Sequence, residues 1–258
     1  MPTRAALPVY IVIDVSASTW DQDPDNPGQS RRPLEETPWG AARDSIGDLW
    51  FALNGSPTAR DLVHLRVVEF GEKASDLQPL TRVRDLQTMP KLGRQSQTNY
   101  QAVFTHVADR LEADIAKLAA EYDELRQPIV YFITDGMPYV GKGPQPASAW
   151  LPRLKRVHDV TTPVTTRRAR VGADGQTSRP SLGHRPAIVA LGFDKVDEQT
   201  LVDIAQFPGV ACLADSGSAS PGDLLSEVLQ SVLDSIIHSV NTEFTFRPPD
   251  GMRLLSTR

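Results

Sequence analysis

Five oxygen-bearing side chains are spaced along the sequence as the ligands of a hard cation would be. They are Asp14, Ser16, Ser18, Thr98 and Asp135. The first three alternate directly after a β-branched run at residues 9–13, so a turning chain can aim three oxygens at one point. Asp135 follows a second apolar run at residues 129–134, and Thr98 stands just before the longest amphipathic segment. The set predicts a site for Mg²⁺ or Mn²⁺, cations that prefer oxygen ligands.

The charge of this set also indicates what else the cation would bind. Only Asp14 and Asp135 carry charge, and the other three groups are neutral hydroxyls. Magnesium takes six oxygens and usually retains waters. An ion held by these residues would be incompletely neutralised and would accept one more anionic oxygen from outside.

Each member of the set also has a purely structural interpretation. Thr98 before Asn99 is a good helix N-cap, and Asp135 before Gly136 is a common turn pair. Ser16 and Ser18 are ordinary turn residues, and an aspartate at the end of a strand is often a cap. The combination of the five, in order and on suitable elements, favours the metal site.

The surrounding elements alternate between strand and helix. Short apolar runs predict strands at residues 9–13, 63–70, 129–134, 187–192 and 210–213, with a short antiparallel edge strand at 74–80. Helical spacing of apolar residues predicts helices at 37–54, 99–122, 149–157 and 196–207, and a last one from 220. This pattern predicts an α/β fold, Rossmann-like and doubly wound, with a mostly parallel six-stranded sheet and helices on both faces. In such sheets ligands bind at the carboxyl ends of the strands, where Asp14 and Asp135 stand.

We interpret the chain as a single domain over residues 1–241, followed by a tail at 242–258 without a clear element. Two long loops interrupt the domain, at 21–35 and 160–186. The second contains five arginines and a single acidic residue, Asp174, which is typical of a basic, mobile surface insertion.

Composition narrows the classes of function. The 258 residues contain 27 Lys and Arg against 32 Asp and Glu, and this net charge of −5 argues against nonspecific nucleic-acid binding. The single cysteine, Cys212, excludes an internal disulfide and a cysteine-based zinc cage. No run reaches the ~18 apolar residues of a membrane span, and the first eight residues lack the apolar region of a secretory signal. We therefore expect a cytoplasmic protein without a membrane segment.

Three segments of the sequence resemble those of a known family. Residues 9–18, Thr98 before a long amphipathic helix, and residues 132–136 together resemble the von Willebrand factor type A domain and its metal-ion-dependent adhesion site. The resemblance covers roughly residues 7–240, and the run Thr-Asp-Gly-Met-Pro at 134–138 is similar to a bacterial cytosolic branch related to the tellurite-resistance protein TerY. Two departures are visible: Ala17 stands where relatives commonly carry glycine, and Ser96-Gln97 where many carry Gly-Gly.

The resemblance implies a non-enzymatic role in protein binding. It implies that Ser16, Ser18 and Thr98 bind Mg²⁺ or Mn²⁺ directly, while Asp14 and Asp135 act directly or through water. It further implies that the open coordination position captures an Asp or Glu of a partner protein. TerY-like proteins suggest a partner within a stress or signalling set that includes a kinase and a phosphatase.

Two other classes of function remain as alternatives. A phosphoryl-transfer or hydrolytic enzyme could use Asp14, but dehalogenase-type phosphatases need a second aspartate where this chain has Ser16, and no Gly-x-Ser-x-Gly elbow surrounds either serine. Nucleic-acid contact through the loop at 160–186 is the other alternative, although no interleaved aromatic residues support base stacking there.

Overall fold

The computed structural model describes residues 4–23, 25–26, 28–31, 33–88, 91–163, 183–193, 196–206, 208–214, 221–239 and 244–256. The strands are β1 (Ala5–Asp14), β2 (Val63–Phe70), β3 (Ala74–Arg82), β4 (Glu124–Leu125), β5 (Ile129–Thr134), β6 (Tyr139–Val140), β7 (Gly143–Pro144), β8 (Ala187–Gly192), β9 (Val210–Ala214) and β10 (Met252–Leu255). The helices are α1 (Pro38–Gly55), α2 (Pro57–Leu62), α3 (Tyr100–Glu121), α4 (Ala147–Asp159), α5 (Glu198–Ala205) and α6 (Pro221–Ser239).

The central sheet has the strand order β10-β9-β8-β5-β1-β2-β3, with the short β4 also paired to β1. Strands β1, β2, β5, β8 and β9 are parallel, and β3 is antiparallel to β2 at one edge. This confirms the expected α/β class, with a mostly parallel sheet and an antiparallel edge strand. The chain proceeds from β1 to β2 on one side and from β5 to β8 on the other, so the strand order reverses between β1 and β5.

The sheet is larger than the six strands expected, because the C-terminal segment adds another. β10 pairs antiparallel with β9, from Met252 opposite Ala214 to Leu255 opposite Ala211. Met252 and Leu255 are buried, and upstream of them Phe246 packs against Tyr131 with 6.2 Å between ring centroids. A four-residue strand after a Pro-Pro pair gives little periodic signal, so the sequence pattern predicts no element at residues 242–258.

Helices cover both faces of the sheet because side chains of β1 alternate between two cores. Val9, Ile11 and Ile13 point to one core, which α1 and α6 cover. Tyr10 and Val12 point to the other core, which α3, α4 and α5 cover. This two-sided burial explains why the strands are continuous apolar runs rather than alternating ones.

A buried ionic group links β2, β3 and α3. The guanidinium of Arg66 on β2 donates two hydrogen bonds of 2.9 Å to Asp114 on α3 and pairs with Asp76 on β3. Asp76 also contacts His106 and Arg110, each at 2.9 Å. These contacts fix α3 against the sheet edge, and the N-terminus of α3 follows Thr98.

The loop at 21–35 contains internal pairing in its described part. Gln22 forms an antiparallel bridge with Ser30, and the Asp23 amide donates a 2.8 Å bond to the Gln29 carbonyl. A 3₁₀ helix at Leu34–Glu36 then leads into α1, which Thr37 caps by accepting from the Gly40 amide. Most of the Arg-rich segment, residues 164–182, lies outside the described residues, and its predicted mobility stays a prediction. No helix in the described ranges has the length and apolar character needed to cross a bilayer.

Candidate metal centre

The loop that follows β1 holds three of the predicted residues in one tight turn. Both the amide and the hydroxyl of Thr19 donate to the Ser16 carbonyl, at 3.1 and 2.8 Å. Ala17 does not adopt a positive φ, so alanine replaces the glycine of related sequences without backbone strain. The turn brings Asp14, Ser16 and Ser18 to the carboxyl end of β1.

A continuous series of hydrogen bonds joins these residues to Asp135 at the end of β5. The Ser16 amide donates to Asp14 Oδ1 at 2.9 Å. The hydroxyls of Ser16 and Ser18 lie 3.3 Å apart, and Ser18 Oγ donates to Asp135 Oδ1 at 2.8 Å. Four of the five predicted residues therefore meet at the point where the strand order reverses, the usual place for a ligand in a doubly wound sheet.

The fifth residue, Thr98, is not the cap of α3. Asn99 is the N-cap, and its side-chain oxygen accepts a 3.0 Å bond from the Ala102 amide. Thr98 instead forms an antiparallel bridge with Tyr139, with amide-to-carbonyl distances of 3.0 and 2.8 Å. The capping interpretation of Thr98 is therefore wrong, and its hydroxyl is not committed to the first turn of the helix.

Gly136 brings the Thr98 hydroxyl together with that of Ser18. A Cβ on Gly136 would lie 3.7 Å from Ser18 Oγ and 3.7 Å from Thr98 Oγ1. Both hydroxyls therefore lie near Gly136, the residue that follows Asp135 in the chain. The structure thus brings all five predicted residues to one place, and their role as metal ligands stays a prediction.

Two supporting residues were not predicted to have a role. Thr134 Oγ1 donates a 2.7 Å bond to Asp14 Oδ2, and the single proton of the Tyr100 hydroxyl is shared between Thr134 Oγ1 at 3.3 Å and the Gly136 carbonyl at 3.0 Å. Thr134 lies within the motif that carries the family resemblance, which was the available signal. Tyr100 gave none, because a tyrosine at the start of an amphipathic helix is most simply a core residue.

The site is largely buried, and burial determines its electrostatics. Asp14, Ser16, Thr98 and Asp135 are buried, and Ser18 is the exposed member. Burial raises the pKa of Asp14 to about 6, although hydrogen bonds from Ser16 and Thr134 act in the opposite direction. Burial also raises the pKa of Tyr100 well above its usual value, with a further contribution from the charges of Asp14 and Asp135. A shifted carboxyl group at a strand end is typical of a functional site.

Nothing else in the described part of the chain competes as a metal site. Within those ranges, no three His, Cys, Asp or Glu side chains are grouped closely enough to hold a metal ion. The candidate centre combines two carboxylates with three hydroxyls, a donor set that suits a hard cation rather than zinc or copper. Both oxygens of Asp14 accept hydrogen bonds, and the hydroxyls of Ser16 and Ser18 are hydrogen-bonded within the same series.

Comparisons with solved structures agree with this architecture. The chain is similar to a von Willebrand factor type A protein from Catenulispora acidiphila, with a TM-score of 0.55 and 13% identity over 90% of this chain. It is also similar to the pilus adhesin SpaC from Lactobacillus rhamnosus GG (TM-score 0.56, 12% identity, 92% of this chain). A mutant of the PilB minor pilin from Streptococcus sanguinis matches with a TM-score of 0.50 and 11% identity over 93% of this chain.

The chain spans only part of each of these proteins, namely 43%, 31% and 64% of their respective lengths. No protein-family model and no curated protein sequence matches it. At these identities the structural similarity describes the fold alone. The chain has a von Willebrand factor type A fold.

Proposed function

We propose that this chain binds partner proteins through a divalent cation, Mg²⁺ or Mn²⁺. The observation that carries the proposal is the hydrogen-bonded series from Asp14 through Ser16 and Ser18 to Asp135, which meets Thr98 around Gly136. Ser16, Ser18 and Thr98 bind the cation directly. Asp14 and Asp135 act directly or through water.

The donor set supports this assignment. All the groups are hard oxygens, and the space beside Gly136 adjoins two of the hydroxyls. Because only two groups are charged, and because protein hydrogen bonds already engage Asp14, the bound cation stays electrophilic. An Asp or Glu carboxylate of a partner is the ligand that completes its shell.

The same contacts favour binding over catalysis. Asp14 is buried, and each of its carboxylate oxygens accepts a hydrogen bond from the protein. Ser16 occupies the position where dehalogenase-type phosphatases carry their acid. We propose a non-enzymatic module on these grounds. Nucleic-acid contact through the loop at 160–186 stays an alternative that no described residue favours.

The structurally similar proteins support the proposal only in general terms. One of them is a pilus adhesin and another is a minor pilin, and both descriptions belong to those proteins. Proteins with a common fold can have different functions, so the residues of the site support the proposal more strongly than the fold does. The resemblance of residues 134–138 extends the proposal to a bacterial, cytoplasmic, TerY-like stress or signalling system with a kinase and a phosphatase.

A pulldown from native lysate tests the proposal. The immobilised protein is incubated with Mg²⁺ or with EDTA, alongside the variants Ser18→Ala and Thr98→Ala. Thr105→Ala is the matched control, because its hydroxyl donates within α3 to the Gln101 carbonyl, outside the site. We expect partners that are recovered only with Mg²⁺ and only by the wild type and the control. Recovery of the same partners under all conditions would contradict the proposal.

A further inference from the structure

Exposed apolar residues follow the candidate metal centre directly in the chain. Five large hydrophobic side chains are exposed in the described part of the chain, and three of them follow Asp135 closely. We call these three residues the apolar rim: Met137 is 40% exposed, Tyr139 45% and Val140 37%. Isolated exposed apolar residues need no explanation, whereas three within four positions, on a segment paired with Thr98, are a candidate contact surface.

The apolar rim is joined to the metal loop by backbone contacts. Tyr139 is the bridge partner of Thr98. Two backbone hydrogen bonds therefore join a residue with an exposed aromatic ring to a predicted metal ligand. Tyr139 and Val140 form β6 of a short hairpin with β7, closed by a turn at Gly141, whose φ of 66° favours glycine. The Gly141 amide also donates to Gln97 Oε1 at 3.1 Å.

Further contacts hold both ends of this segment. The Asp197 amide donates to Met137 Sδ at 3.4 Å. The Gln145 amide donates to the Pro138 carbonyl at 2.8 Å, and its side-chain nitrogen donates to Asn99 Oδ1 at 2.9 Å. The rim is therefore held in place before any partner arrives, which lowers the entropy cost of binding.

The rim segment itself carries a charge that suits an acidic partner. Residues 136–146 contain no Asp or Glu and one positive residue, Lys142, in a chain whose net charge is −5. Lys142 is therefore the one charge that this segment offers to an approaching carboxylate, while Asp197, whose amide contacts Met137 Sδ, lies at its edge. Rigid aromatic side chains beside a charged contact are typical of interface hot spots.

We propose that the apolar rim contacts the residues that flank the captured carboxylate. The preferred partner segment is therefore an Asp or Glu with a large apolar neighbour. This inference rests on the proposed function, since the carboxylate must first reach the cation. The metal contact supplies the anchor, and Met137, Tyr139 and Val140 supply the selectivity between acidic segments.

Short synthetic peptides test the inference, with binding followed by ¹H–¹⁵N NMR shifts of the full chain. The probes are the capped peptides Gly-Leu-Asp-Leu-Gly, Gly-Ser-Asp-Ser-Gly and Gly-Leu-Asn-Leu-Gly, each titrated with Mg²⁺ and with EDTA. The protein variants are the double substitution Tyr139→Ser with Val140→Ser, and Phe51→Ser as a matched control. Phe51 is 76% exposed on α1, about 18 Å along the helix from Trp39, whose amide contacts the Thr19 carbonyl at the metal-centre end.

For the wild type with Mg²⁺ we expect the Leu-flanked Asp peptide to bind about tenfold tighter than the Ser-flanked one, the effect of burying one apolar side chain. The double variant should bind both Asp peptides equally while keeping the Mg²⁺ dependence, and Phe51→Ser should keep the preference. Equal affinities in the wild type, or a preference that persists in the double variant, would overturn the inference alone. Absence of Mg²⁺-dependent binding for both Asp peptides would overturn the proposed function with it.

Discussion

The Thr134 hydroxyl donates a 2.7 Å hydrogen bond to Asp14 Oδ2 across the boundary between β5 and β1. The other oxygen of Asp14 accepts from the Ser16 amide at 2.9 Å, so the carboxylate is held from both sides. Tyr100 in turn donates to Thr134 Oγ1 at 3.3 Å. Thr134 is thus a positioning residue, and the orientation of Asp14 depends on a side chain that is not itself a predicted ligand.

Substitution of Thr134 tests this relationship. Thr134→Val removes the hydroxyl and leaves a buried carboxylate oxygen without that donor, which should lower the free energy of unfolding by about 1–3 kcal/mol. Mn²⁺ affinity should fall by about 10–100-fold, the usual effect of losing a residue that orients a ligand. Thr134→Ser keeps the donor and should retain most of both quantities. Urea unfolding and Mn²⁺ binding measure the two effects, and a Val variant equal to the wild type in both would contradict the positioning role.

Asn99 caps α3 and the adjacent Thr98 is the predicted metal ligand, which gives a second prediction. Asn99→Ala removes the cap of α3 and should lower the free energy of unfolding by about 1 kcal/mol, with Mn²⁺ affinity unchanged. Thr98→Ala should have the opposite profile, with a large loss of Mn²⁺ affinity and the smaller change in stability. Thermal unfolding and Mn²⁺ titration of both variants measure the contrast. If both variants lost stability and affinity to the same extent, Thr98 would have no separate role.

Gly136 provides a third prediction, because it lies near the hydroxyls of both Ser18 and Thr98. A methyl group there would lie at ordinary contact distance from Ser18 Oγ and Thr98 Oγ1, both 3.7 Å away, so the metal-free fold should tolerate Gly136→Ala. The methyl would displace the cation or its waters, and Mn²⁺ affinity should fall at least about tenfold. Circular dichroism and Mn²⁺ titration check the two parts. Unchanged affinity in a folded variant would mean that the cation does not bind beside Gly136.

The buried ionic group around Arg66 predicts how stability depends on pH. Burial by itself raises the pKa of Asp76, but hydrogen bonds from Arg66 and His106 outweigh it and leave this pKa below its usual value. A carboxyl group with a lowered folded-state pKa contributes stability above its unfolded pKa of about 3.9, and that stability is lost as pH falls through the folded value.

Asp76→Asn should therefore lower the free energy of unfolding by about 1–3 kcal/mol at pH 7, and the difference from wild type should shrink below about pH 4. Asp109→Asn is the control, because Asp109 forms an exposed ion pair with Arg156 and should cost at most about 1 kcal/mol. Urea unfolding between pH 3 and pH 7 measures both. A difference for Asp76→Asn that stays constant over this range would contradict the electrostatic origin.

Much of the fold, and the proximity of the five candidate residues, follows from sequence patterns for physical reasons. Asp14 and Asp135 end continuous apolar runs, and parallel strands place their carboxyl ends at one edge of a sheet. The role of Thr98 is harder to predict, because Thr98 and Asn99 are both good helix caps. Which of the two caps α3 depends on the bridge between Thr98 and Tyr139. That bridge requires a hairpin of two-residue strands, which is too short for any periodicity.

Sequence patterns do not predict the hydrogen bond that supports Asp14 or the strand β10 at the sheet edge. The contact between Thr134 and Asp14 joins residues 120 positions apart, and nothing local in either strand indicates it. β10 depends on pairing with β9, and its four residues carry a weak pattern after a polar segment. In both cases the tertiary partner, rather than local propensity, determines the structure.

The most direct test of the account is a titration of the purified, chelator-treated protein with Mn²⁺, with free Mn²⁺ followed by its electron paramagnetic resonance signal. Ser18→Ala is the decisive variant, because Ser18 is exposed and its hydroxyl contacts Ser16 and Asp135. We predict one bound Mn²⁺ in the wild type and in Thr105→Ala, and a loss of at least about tenfold in affinity in Ser18→Ala. No bound Mn²⁺ in the wild type, or equal binding by all three proteins, would contradict a metal centre at these residues.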